Sequence, residues 1–266
     1  MRIVRLLGPA LLALHLVLRV TNQSIWTEVL LYNLVGLIAI ISLVLSPTLE
    51  FSTAKFAIGF GIFAWVIGSV IASFAHYNFA KTLLTSFGEL MYLVFYPFIV
   101  IGSIRIIRGQ STYKKSEILD SAIIGLGITT FGAAVLLPQV LPTLNQPFVQ
   151  LFYPLAYPLA DLFLAAIVLS LFSIRSFSSG SLILIIGITS FVLTDFLYLS
   201  IDSFANYSIG GVIDDGWLFG LLLISESFWH LDISPANVFG CSGIKKSDLY
   251  YPFSFFERNS SCNNGT

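Results

Sequence analysis

"YPLAYPLADLFLAAIVLSLF", residues 153–172, carries one charged side chain, Asp161, in an otherwise uncharged run. About 20 apolar residues in a helix cross a bilayer core of about 30 Å. The run therefore reads as a transmembrane helix with a carboxyl group near its middle. Two Tyr-Pro pairs precede the acid. Proline removes a backbone donor and disturbs the turn before it. In a membrane helix the freed carbonyls need other partners. Pro154 and Pro158 are thus read as kinks in the first half of this helix, which would line a polar cavity. Pro97, after Tyr96, is read the same way in an earlier span.

Similar runs recur along most of the chain. The sequence is 56% hydrophobic and 10% charged, where soluble domains hold about 25% charged residues. Eight spans follow: 4–20, 27–46, 56–75, 83–104, 119–140, 149–173, 181–201 and 213–231. A spanning backbone must satisfy its own hydrogen bonds, and the short alternating segments of a barrel are missing, so the spans are helices. The expected fold is all-α, a polytopic transmembrane bundle of about eight helices. Residues 232–266 form a polar tail. The N-terminus has a basic start like a signal peptide, but no small-x-small cleavage site follows and the run ends at Arg19; it is read as a retained first helix.

Lysine and arginine set the orientation. With the N-terminus inside, the cytoplasmic side holds Arg2, Arg5, Lys55, Arg105, Arg108, Lys114, Lys115, Arg175, Lys245, Lys246 and Arg258. The outer side keeps only Arg19 and Lys81 and is acidic, with Glu28, Asp202, Asp214 and Asp215. Both termini are expected in the cytoplasm of a cell with an inner membrane. The near-neutral charge gives no reason to expect a nucleic-acid partner. Sequons at Asn22 and Asn206 are read as chance.

The chain also echoes itself. "YNLVGLIAIISLVLS" from Tyr32 aligns with "YPLADLFLAAIVLSL" from Tyr157, and "GIFAWVIGS" from Gly61 with "GITSFVLTD" from Gly187. At nearly the same offset Glu89 meets Asp215. An offset of four helices keeps the direction of insertion, so the echo reads as two parallel four-helix repeats. The competing reading is that apolar sequences align easily. Gly36 stands opposite Asp161, so the acid belongs to one half only.

No soluble-enzyme motif is present, and no catalytic residue, metal site or cofactor is expected. No span carries a mid-membrane lysine for a Schiff base, which argues against a retinal photoreceptor. Cys241 and Cys262 have no metal spacing and are too few for a disulfide framework. His15 is read as a hydrogen-bonded packing residue; His76 and His230 are read as interfacial. The acids say more, because a carboxylate at the bilayer centre costs about 2.5–3.5 kcal/mol. Asp161 is expected mid-span. Asp195 and Glu226 are expected toward the cytoplasmic ends of their spans, and Glu89, Asp214 and Asp215 near outer ends. Hydrogen bonding between helices is the plain alternative for the deeper acids and the preferred reading for Glu226. Trp26, Trp217 and Trp229 are read as belt residues, with Trp217 alternatively walling an outer cavity. Gly59, Gly61 and Gly68, and Gly125, Gly127 and Gly132, suggest close helix packing.

The segments "AYPLADLFLAAIVLSL", "FVLTDFLYLS" and "IDDGWLFGLLL" resemble the multi-span N-terminal membrane region of bacterial GGDEF and GGDEF–EAL signalling proteins. "SFGELMYLVFYPFIVIG" looks like an earlier counterpart. The likeness covers roughly residues 30–231 and maps onto Tyr157, Pro158, Asp161, Asp195, Asp214 or Asp215, Gly216 and Trp217. It implies a membrane sensor that relays a signal to cytoplasmic signalling domains or proteins. This chain contains no GGDEF-like sequence, so no cyclase activity is carried over. The expectation is a non-enzymatic membrane sensor with the lipid bilayer as its medium and an outward cavity around Asp161, Asp195 and Asp215, with Asp214, Glu89, Trp217 and Tyr157 as further candidates. The alternative is a small proton-coupled secondary transporter. A third reading is a scaffold in which every acid only hydrogen-bonds between helices.

Overall fold

The computed structural model describes residues 2–21, 27–48, 51–76, 83–110, 148–172, 178–202 and 212–231, and singly Ile123, Gly127, Thr130 and Ala134. The chain divides into a unit Met1–Asp232 and a second unit Ile233–Thr266, which lies outside the described residues. Every regular element among the described residues is helical: α1 (Arg2–Thr21), a π-helical turn (Thr27–Leu31), α2 (Tyr32–Leu45), α3 (Ser52–His76), α4 (Leu83–Gln110), α5 (Phe148–Phe172), α6 (Ser179–Asp202) and α7 (Asp214–Ser227). The all-α expectation is met at that level. The expected span 119–140 lies outside the described residues, apart from the four single positions, which are helical. Gly125 and Gly132 lie there too. Backbone helix continues through Pro97 in α4 and through Pro154 and Pro158 in α5, so the prolines interrupt neither element.

Among the described residues three stretches are long and apolar enough to cross a membrane, Ser52–Ala75, Thr85–Ile106 and Ser179–Tyr198; Val29–Leu45 and Ala156–Ile167 are shorter apolar helices. The outer surface agrees with that reading. Phe56 is 75% and Phe163 67% exposed, and large aliphatic side chains are exposed along most helices. Water tolerates only small patches of this kind, whereas lipid is a good solvent for them, so the surface is compatible with a membrane protein.

Two helix pairs pack most closely, α3 with α4 and α6 with α7. Glycine explains the approach. A Cβ on Gly61 would meet the Phe95 carbonyl at 3.1 Å and Phe98 Cβ at 3.2 Å; on Gly187 it would meet Ile224 N at 2.8 Å and the Gly220 carbonyl at 3.0 Å. Small residues let helix backbones touch in this way. Gly187→Ala would push α6 off α7. A cost of about 1–3 kcal/mol is expected, as for other overpacked positions, read as a lower thermal unfolding midpoint in detergent. An unchanged midpoint would show that the two helices stand farther apart.

The pairs are crossed by the other helices. α2 packs on α3 and α7, and α5 packs on α6 and α4. Two tyrosines, one at the start of α2 and one in α5, make matching bonds. The Tyr32 hydroxyl donates to the Asp214 carbonyl (3.1 Å), and the Tyr157 hydroxyl to the Glu89 carbonyl (2.9 Å). Tyr32 aligns with Tyr157 in sequence, and at that same offset Glu89 aligns with Asp214. Trp65 of α3 meets its aligned residue Phe191 of α6 edge-on, with centroids 6.2 Å apart. Around them the core runs through Phe95, Ile99, Ile188 and Leu221.

α1 lies along α2 and α7. It runs antiparallel to α7, because Arg5 near its start meets Glu226 near the end of α7 and Arg19 near its end meets Asp215 at the start of α7. The end of the bundle holding Arg5 is closed by the Thr48 hydroxyl on the Phe228 carbonyl, by the Gly180 amide on the His230 carbonyl (3.1 Å) and by the Trp229 indole on Ser42 Oγ (3.1 Å).

Candidate functional site

Asp161 is the least compensated polar group in the described core. It projects from the middle of α5, is 0% exposed, and neither carboxyl oxygen has a hydrogen-bond partner. Its electrostatic neighbours are Asp195 of α6 and Tyr96 of α4. Asp195, by contrast, is well held. The Trp217 indole N–H donates to Oδ1 at 2.8 Å and the Tyr96 hydroxyl to Oδ2 at 3.1 Å. One carboxyl pair thus joins α4, α5, α6 and α7. Aromatic rings wall it: Tyr96 lies 6.2 Å from Tyr157 and Tyr198 5.7 Å from Trp217, centroid to centroid. Rings of this kind supply a low-dielectric wall and few competing acceptors, so each polar group there interacts strongly.

The sequence grouped Asp161, Asp195 and Asp215 around one cavity open to the outside. The structure brings the first two together and encloses Asp161 completely, while Asp215 turns to α1. Asp195 lies in the last third of α6. α6 and α7 are antiparallel, so a residue in the last third of α6 faces the first turn of α7, where Trp217 is. For the same reason the Trp217 indole packs inward on Asp195. Trp229 sits at the other end of the bundle, with the Arg5 guanidinium 5.2 Å over its ring. Trp26 lies outside the described residues. Glu89 and Tyr157, both candidates, pair with each other through the tyrosine hydroxyl.

A second polar cluster was missed as a cluster. His15 Nδ1 lies 2.8 Å from Asp215 Oδ1, and Arg19 Nη1 donates to Asp215 Oδ2 at 2.6 Å; all three side chains are buried. His15 and Arg19 are one turn apart on α1 and so share a face. Tyr32 stacks at a tilt beside His15, centroids 5.7 Å apart. Hydrogen-bonded packing was expected for His15, and it is hydrogen-bonded. Its partner was not legible.

Glu226 was expected to bond within the bundle through hydroxyl groups. It is bound by Arg5, whose Nε lies 3.0 Å from Oε1, and by His230 Nε2 at 3.0 Å. Beside this pair an apolar cavity of about 620 Å³ runs between α1, α2 and α7, past Leu12, Leu16, Ile38 and Phe219. The side chain of His76 and the cysteines Cys241 and Cys262 lie outside what is described.

The positions that the sequence alignment sets opposite Asp195 and Asp161 carry no charge. Ser69, aligned with Asp195, donates to Asn33 Oδ1 at 2.8 Å, and Asn33 Nδ2 donates to Ser73 Oγ at 3.3 Å. At Gly36, aligned with Asp161, a Cβ would meet Val66 Cγ2 at 2.7 Å. No space remains there for an acid. Among the described residues no group of three or more His, Cys, Asp or Glu could hold a metal ion. No protein-family model matches the chain, and no curated protein or solved structure matches it.

Proposed function

We propose that this chain is an integral membrane protein of sensor type, and that the Asp161–Asp195 pair is its sensing element. The observation that carries the reading is Asp161: a fully buried carboxyl with two unpartnered oxygens beside a second carboxyl. A buried polar group left without a bond costs about 1–3 kcal/mol, so its retention calls for a role. A proton satisfies the site best. One proton on Asp161 supplies a donor that can face Asp195 and removes one of two neighbouring charges. Taking up or losing that proton changes what holds α5 against α4 and α6. A stimulus shifts a conformational balance only by favouring one arrangement, and this pair offers such a difference.

The bundle is proposed to sit in an inner membrane, both termini cytoplasmic, with about eight spans. It is further proposed to be two parallel four-helix halves. The exchanged tyrosine bonds, the Trp65–Phe191 contact of aligned residues and the matching glycine contacts support that duplication. The resemblance to the membrane regions of GGDEF proteins supports an output through cytoplasmic signalling domains or proteins.

The test is proton uptake by full-length protein in nanodiscs, followed with a pH-indicator dye on acidification and compared with Asp161→Asn and Asp195→Asn. Both variants are expected to lose about one proton per chain. Identical uptake in wild type and both variants would sink the assignment. Proton-coupled transport is the second reading, favoured by the same buried acid and the same internal echo. Solute-dependent proton flux in proteoliposomes, abolished by Asp161→Asn, would select it over sensing.

A further inference from the structure

His15 is 0% exposed, and its Nε2 has no hydrogen-bond partner. Its other nitrogen faces Asp215 Oδ1 at 2.8 Å. Asp215 is held by the Arg19 guanidinium at 2.6 Å, a charge-assisted contact that fits an ionised carboxylate. A carboxylate only accepts, so Nδ1 must carry a hydrogen and donate it. The neutral ring then presents Nε2 as a bare lone pair. The carboxylate fixes the tautomer and orients the ring, as carboxylates do for working histidines elsewhere.

We propose that His15 Nε2 is a second proton-binding site, built by Asp215 and separate from the Asp161–Asp195 pair. The groups facing His15 come from each neighbouring element. α7 contributes Asp215, with Asp214 beside it in the same first turn, α2 contributes Tyr32, and α1 contributes Arg19. The ligand must be as small as a proton. His15 has no exposed surface, and the cavity beside α1 passes Leu12 and Leu16 without being lined by His15. The binding step is simple: Nε2 gives its lone pair to a proton, the ring becomes an imidazolium, and no bond breaks. The first turn of α7 carries both Asp215 and Trp217, so charge gained at His15 acts on the turn that holds Asp195.

Full-length protein labelled with nitrogen-15 histidine tests this directly by magnetic resonance. The variant His76→Gln/His230→Gln leaves His15 as the one remaining imidazole signal. The expected neutral ring has its hydrogen on Nδ1, and Nε2 gains a proton as the sample is taken from about pH 9 to about pH 4. Asp215→Asn should change the pH at which Nε2 gains that proton. A neutral ring with its hydrogen on Nε2, or a single unchanging state across the range, would overturn the proposal. So would a midpoint indifferent to Asp215→Asn. If Asp215→Asn fails to fold, the tautomer and titration of the parent decide alone. Asp161→Asn is expected to leave the His15 titration in place, so failure of the carboxyl-pair reading and failure of this one are told apart.

Discussion

Arg19→Met is expected to destabilise the bundle by about 3–5 kcal/mol, the usual result of breaking a buried ion pair from one side. Arg19 and Asp215 are both about 5% exposed and meet at 2.6 Å. Methionine keeps most of the arginine stem's volume but leaves the Asp215 carboxylate buried with His15 as its remaining bonded partner. The loss would be read as a lower unfolding midpoint in detergent, with reduced yield. The double variant Arg19→Met/Asp215→Leu removes both charges and should recover most of that stability, because apolar replacements of buried pairs are close to neutral. A double variant no better than the single one would show that the pair does not hold α1 to α7. The corresponding change at the other end, Arg5→Met, should cost far less. Arg5 and Glu226 are about 30% exposed, and solvent weakens such pairs to about 0–1 kcal/mol.

Asp161→Leu should do the opposite. Leucine is close to aspartate in length, and the site is already enclosed by apolar and aromatic groups. Removing two unpartnered oxygens is expected to raise stability by about 1–3 kcal/mol, while proton uptake by the carboxyl pair is lost. More stable and less responsive protein is the pattern expected when a group is kept for function at a cost in stability. A clear loss of stability would instead make Asp161 a packing residue, as the scaffold reading holds. The same substitution at Asp195 should destabilise, because the Trp217 indole and the Tyr96 hydroxyl would each lose an acceptor.

The helices were readable because each needs only one local property, a long apolar run. Their ends differ from expectation by a few residues, as at α4, which continues through Arg105 and Arg108 to Gln110. Long basic side chains can follow a helix out of the membrane. Side-chain partners were much less readable. His15 and Asp215 are separated by nearly the whole bundle in sequence, and no spacing rule connects them. A signal did exist. Arg19 is one of only two basic residues on the side that the sequence leads one to expect as acidic. Arg5 and Arg19 on α1 mirror Glu226 and Asp215 on α7 if the helices run antiparallel. Charges at both ends of two apolar helices could have been matched as pairs. The partner of Asp195 was hidden in the same way: its distance along α6 is readable, but not that the first turn of α7, with Trp217, lies beside it.

The tyrosine bonds between α2 and α7 and between α5 and α4 have a historical meaning under the proposed duplication. A contact made once from the first half to the second, and once back, is what two separate identical chains make across a dyad. Each half would then descend from a subunit of an ancestral homodimer. In such a dimer every acid comes in two copies. Joining the copies in one chain frees them to diverge. One half could close its seat with Gly36 and Val66, while the other kept Asp161, leaving a single buried carboxyl pair where symmetry would have required two.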